Sequence, residues 1–238
     1  MIVLPCVPGA RASGLIWNIA SSIYITMPRR SKFTEAQILD ATATLVADGG
    51  PGAATIGAIG ALLKAPSGSI YHRFASRDVL LGRLWLSRAA FFQGRFAEAL
   101  TEPDPAKAGL DAALSLPRSV RADFPGARVM LLHRRDDFLT GDWPVDMAAE
   151  AARLKRQVDD AMKDIARRLF ARRGAQALRL ATFAIIDVPF AAVHRHVAAN
   201  EMPPAYVDDL IAATYATLIT PTTARTPNRK IVRRSRSE

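Results

Sequence analysis

From Phe33 onward the apolar residues recur at helical spacing. Thr34 and Gln37 stand three apart, the spacing of a capping box, with Phe33 and Ile38 at the flanking staple positions. Ile38, Ala41, Leu45 and Val46 then share one face, and Gly49-Gly50 supplies the left-handed residue that ends a first helix. A second short helix starts after Thr55, with Ile56, Ile59 and Leu63 turned inward. Pro66 breaks it before a third short segment, SGSIYHRF, and Ser76 caps a long fourth helix over 78–100. That helix carries Leu81, Trp85, Phe92 and Phe96 on one face, and Pro103 and Pro105 close it. Further helical segments are expected over 106–122 with a bend at Pro117, then 126–138, 145–172, 175–199 and 204–219. No alternating strand pattern and no solenoid repeat appears, so the predicted class is all-α.

The flanks read differently. Residues 1–26 are apolar without either period and are broken by Pro5, Pro8, Gly9 and Gly14. They lack the basic start and small-x-small cleavage site of a signal peptide. Met27 opens a basic stretch, MPRRSKF, so residues 1–27 are expected to be a disordered extension or to precede the true start. After Pro221 the chain is rich in Thr, Pro and Arg, and residues 220–238 are expected to be a disordered tail. The net charge of +10 is half accounted for by that tail, where Arg225, Arg229, Lys230, Arg233, Arg234 and Arg236 oppose Glu238. Bulk charge alone is therefore weak support for a polyanionic partner. No run of 18 apolar residues spans a membrane, and the single Cys6 excludes an internal disulfide or a Cys-rich zinc site. A reducing cytoplasm is the expected location.

Three short helices within about 40 residues, the last two joined by a tight turn, have the size of a helix-turn-helix unit. In SGSIYHRF, Ile70 and Phe74 lie four apart and face inward. Ser67, Ser69, His72 and Arg73 are then outward, with Tyr71 at the edge, a polar face suited to phosphates and base edges. The stretch ATIGAIGALLKAPSGSIYHRFASRDVLL, residues 54–81, resembles the TetR family of transcriptional regulators. It has that family's Thr-capped second helix, short turn, Tyr-His-x-Phe ending and following Ser-Arg-acidic-x-Leu.

The resemblance implies a DNA-binding domain over 28–76 and a ligand-binding and dimerisation domain over 77–219. It also implies that Thr55 and Arg77 contact phosphate, that Ser67 and Ser69 approach bases, and that Tyr71 and His72 grip the backbone. Lys64 stands where the family usually has glycine, and Pro66 occupies a common Ser/Thr cap position. Read singly, Tyr71 would be a core plug and His72 a solvated surface group.

The expected partners are a double-stranded DNA operator, a small-molecule effector and a second copy of the chain, with no membrane. The effector is expected to be apolar or amphipathic and to lie among Phe92, Phe96, Met130, His133, Trp143 and Met147, which are equally ordinary core residues by type. A two-fold interface is expected from two apolar stripes. One is Leu178, Ala181, Ile185, Val188 and Ala192, and the other is Val207, Leu210, Ile211, Thr214 and Leu218. Those stripes would otherwise close the monomer core. No phosphate-binding loop, HExxH or GxSxG pattern occurs, and His194 and His196 diverge by about 200° on a helix. No catalytic residue, metal or cofactor is therefore expected. Two alternatives remain open from the residues: a helical small-molecule-binding protein or enzyme with purely structural N-terminal helices, and a membrane-surface protein using the basic tail.

Overall fold

The computed structural model describes residues 33–138, 143–170 and 174–219, and the expected extension (1–27) and basic tail (220–238) lie outside them. Among the described residues the chain is all-α. Helix α1 (Glu35–Ala53) opens with the capping box the sequence predicts: Gln37 N donates to Thr34 Oγ1 at 3.2 Å, and Thr34 N donates to Gln37 Oε1 at 2.8 Å. Gly50 adopts φ 72°, which breaks the helical run and leaves a last turn around Pro51. Then follow α2 (Ile56–Leu63), α3 (Ser67–Tyr71) and α4 (Arg77–Ala99), whose Ser76 cap accepts from Val79 N at 3.1 Å. The remaining helices are α5 (Pro105–Ala122), α6 (Phe124–Leu132), α7 (Val145–Phe170), α8 (Ala175–Thr182), α9 (Val188–Ala198) and α10 (Tyr206–Ile219).

Two expected helices are interrupted, each for a local reason. The 126–138 segment breaks at His133, whose backbone is extended, and resumes as a 3-10 turn over Arg135–Phe138. Asp137 fixes that turn by accepting from Arg134 N at 2.7 Å. The 175–199 segment widens into a π turn over Phe183–Asp187. Pro189 has no N–H to give the carbonyl four residues back, and just before it Val188 N–H reaches back five residues to Phe183 O.

Helix α4 is the spine of the fold, because it contributes to three apolar clusters in turn. Its start, Leu80, Leu81 and Leu84, completes the N-terminal core of Ile38, Val46, Ile59, Ile70 and Phe74, which Val129 and Phe138 also enter. Its middle, Leu86 and Ala89, meets Met147, Ala151 and Leu154 of α7. Phe96 near its end joins the largest cluster, built from α5, α7 and α8 to α10 around Val120, Ile165, Ile185, Val193 and Ile211. A shift of α4 at one cluster is therefore felt at the others, since close-packed interiors transmit strain.

Candidate nucleic-acid interface

The joint between α2 and α3 is set by three residues. Thr55 caps α2, its Oγ1 accepting from Ala58 N at 3.1 Å, which leaves the hydroxyl hydrogen free to donate outward. Lys64 takes a left-handed conformation at φ 52°, so this turn bears a lysine where glycine is the least strained choice. Gly60 is the glycine the turn does require. Ala65 N donates to Gly60 O at 2.8 Å, and a Cβ on Gly60 would lie 2.9 Å from Ala65 O. That requirement is invisible in helical periodicity, which reads Gly60 only as a weak helix former.

Helix α3 is anchored from below and polar above. Ile70 and Phe74 are buried, at 0% and 2% exposure, and hold the short helix against α1 and α4. Ser67, Tyr71, His72 and Arg73 are exposed and Ser69 is half-buried. Tyr71 is 54% exposed, which removes the reading of it as a core plug. The structure thus brings Thr55, Ser67, Ser69, Tyr71 and His72 together around one two-helix unit.

Arg77 is placed differently from the phosphate contact expected of it. Its Nε donates to Ala54 O at 2.8 Å and its second terminal nitrogen to Pro51 O, so the guanidinium braces the last turn of α1 from the start of α4. The reason is the end of α1 at Ala53, beyond which no helical N–H continues to meet its last carbonyls.

Two further arginines, unremarkable in sequence, tie this unit to the rest of the chain. Arg88 of α4 pairs with Asp40 of α1 and, at 3.0 Å, with Asp123, the residue that caps α6 through Gly126 N. Arg128 of α6 donates from Nε to Ala47 O of α1 at 2.8 Å and from a terminal nitrogen to Val197 O of α9 at 2.7 Å. One side chain therefore spans from the N-terminal core to α9.

The residues expected around an effector divide. Trp143 borders a cavity of about 540 Å³ between α4 and α7, and Phe96 lines a second of the same size on the neighbouring side. Met147 is 1% exposed and belongs to the α4–α7 core. Phe92 and Met130 are half-buried against the neighbouring clusters. His133 stands edge-on to Phe138, and burial holds its pKa below the ordinary histidine value, with Arg128 pushing the same way and Asp137 opposing.

The expected dimer stripes also divide. Ala181, Ile185, Val207 and Ile211 are at most 2% exposed and close the core of the chain itself, so they are corrected to core residues. Leu178, Val188, Ala192, Thr214 and Leu218 are half-buried, and Leu210 is 55% exposed. Among the large apolar residues left uncovered are Leu180, Phe183 and Phe190 on the α8–α9 rod and Tyr206 and Leu210 at α10, of which only Leu210 belongs to the expected stripes. Over the rod Ala175–Ala198 an 18-residue window has mean hydropathy 1.5 with only a third of it buried. His194 stacks on Phe190 with centroids 5.2 Å apart, and His196 accepts from Arg195, so the two imidazoles do not converge. Among the described residues no group of three His, Cys, Asp or Glu converges on a metal position.

Residues 38–84 match the family model of bacterial regulatory proteins of the tetR family. No curated protein sequence matches the chain. Solved structures share its fold at low identity. The TetR-family regulator PfmR of Thermus thermophilus is 17% identical with a TM-score of 0.62, over 79% of this chain and 96% of its own. The transcriptional regulator FadR of Bacillus subtilis, solved in complex with stearoyl-CoA, is 14% identical at 0.60, over 79% and 98%. A TetR-like regulator from a Rhodococcus species is 18% identical at 0.58, over 76% and 92%. Residues 38–84 are therefore similar to the tetR family of bacterial regulatory proteins, and the chain has a helical fold shared with solved members of that family.

Proposed function

We propose that the chain is a dimeric repressor that binds a double-stranded operator through residues 28–76 and releases it when residues 77–219 take up a small apolar or amphipathic effector. The observation that carries this reading is α3 itself. The short helix α3 and the turn after it, anchored by the buried Ile70 and Phe74, present an outward row of hydroxyl, imidazole and guanidinium groups, the polarity a major groove requires. In this reading Thr55, Tyr71 and His72 hold phosphates, Ser67 and Ser69 meet base edges, and no chemistry is done on the effector.

The apolar face of Leu180, Phe183, Phe190, Tyr206 and Leu210 is assigned to a second copy of the chain, because a palindromic operator needs two α3 helices about 34 Å apart. Release follows from α4. An effector bound beside it that prefers one tilt changes the spacing of the two α3 helices, through Arg77, Arg88 and Arg128, which tie α1 to the helices behind it. A 100-fold preference for the non-binding state corresponds to about 2.7 kcal/mol and lowers operator affinity by up to that factor. Selecting fragments of the source genome on the full chain tests the proposal. Recovery of one short palindromic site is expected, and recovery of fragments with no shared sequence contradicts it.

A further inference from the structure

We propose that the cavity between α4 and α7 takes a flat aromatic acid bearing a ring hydroxyl, read by Gln93 and Arg135. The cavity, about 540 Å³, is of a size that suits small ligands. Its walls include Trp85 and Trp143, whose rings meet edge to face with centroids 5.9 Å apart, and three alanines of α7 leave the floor free of bulk. Two indoles at right angles above a smooth floor favour a planar ring over a coiled chain, since ring faces and edges attract each other beyond simple area burial.

Gln93 supplies the polar term. Gln93 lines both this cavity and the neighbouring one, and its Oε1, buried from solvent, has no hydrogen-bond partner among the described residues. A hydrocarbon chain in the cavity leaves that acceptor unpaired, whereas a ring hydroxyl satisfies it once the Gln93 amide turns toward the cavity it lines. The rim supplies the charge. Arg135 and Lys155 face the opening against one carboxylate, Asp159. Lys155 is held by Asp159 at 2.6 Å, but Arg135 gives Asp136 only its Nε, at 3.1 Å, while its guanidinium lies over Trp143 at 5.8 Å. Its terminal N–H groups form the fork that suits a carboxylate. This set of groups also favours an aromatic acid over the long acyl thioester bound by the fold relative FadR. That the bound acid acts as an effector rests on the proposed regulator; that it binds does not.

The test is calorimetric titration of the full chain, without DNA, with 6-hydroxy-2-naphthoate, 2-naphthoate, 2-naphthol and palmitate. The hydroxy acid is expected to bind tightest, with about three- to tenfold lost on removing either the hydroxyl or the carboxylate. Gln93→Leu should erase the advantage of the hydroxyl and leave 2-naphthoate binding unchanged, while Arg135→Gln should erase the advantage of the carboxylate. Ala152→Trp, at an exposed position on the cavity wall, should abolish binding with the thermal melt intact. Palmitate binding tightest, equal affinities for all four, or Gln93→Leu and Arg135→Gln leaving the order unchanged overturns the proposal. Adding the hydroxy acid to the operator complex is a separate arm: binding without loss of DNA affinity leaves the ligand class standing and removes its role as effector.

Discussion

Replacing Arg77 by methionine separates a brace from a phosphate contact. The guanidinium makes two charge-assisted hydrogen bonds, to Ala54 O and Pro51 O, from a side chain about one-third exposed. A hydrogen bond to a charged donor contributes about 1.5–3 kcal/mol when buried, and partial exposure lowers this, so losing both costs about 2–3 kcal/mol. For a chain of this size that is a fall in Tm of about 5–10 °C. Arg77→Lys keeps the charge but cannot fork to both carbonyls, and should recover less than half of the loss. The assay is thermal melting of the full chain beside operator binding of the same samples. Operator affinity should fall only as far as the N-terminal unit loosens. If Arg77→Met melted like the unchanged chain yet failed to bind DNA, the inward brace would be secondary and Arg77 would act on phosphate.

Other outcomes follow from single features. Phe190→Arg combined with Leu210→Arg places charge on the uncovered apolar face, and sedimentation equilibrium should show a monomer that keeps its helical spectrum; an unchanged dimer would locate the interface elsewhere. His133 has a folded pKa below its unfolded value, so its contribution to stability is complete above about pH 6.5 and is lost as pH falls from there toward the folded value. Urea denaturation at pH 7.5 and pH 5 should show that loss, and His133→Gln should flatten it. Tyr215, buried and pushed up to about 12 by that burial, donates its hydroxyl to Ala106 O at 2.9 Å over the space that Gly109 leaves open. Tyr215→Phe should cost about 1 kcal/mol in chemical denaturation, and no cost would mean that the hydroxyl is equally well served by water.

The features legible in the sequence are those set by local chemistry. Thr34 with Gln37, Thr55 and Ser76 cap the helices the sequence predicts, Gly50 takes the left-handed position, and the Ile70–Phe74 pair faces inward. Features that depend on distant partners were not legible. Arg77 reads as a surface cation until the end of α1 presents Pro51 O and Ala54 O to it. On α8 to α10 the periodicity marks an apolar stripe correctly, but both faces are apolar. Ile185 and Ile211 are the face the chain covers itself, while Phe183, Phe190 and Leu210 are the face it leaves open. Gln93 looks like an ordinary polar position on an amphipathic helix, and only packing shows that its amide oxygen is buried and unpartnered.

Whether α3 meets DNA is decided by fluorescence anisotropy of the full chain with its selected operator, titrated at two salt concentrations. Phosphate contacts release counterions, so affinity should fall steeply with salt, and Tyr71→Ala and His72→Ala should each weaken binding with the far-UV spectrum unchanged. Phe74→Ala should instead unfold the N-terminal unit, since truncating a buried phenylalanine costs about 3–5 kcal/mol. Tyr71→Ala and His72→Ala binding the operator as tightly as the unchanged chain, with the same salt dependence, would mean that α3 does not meet DNA.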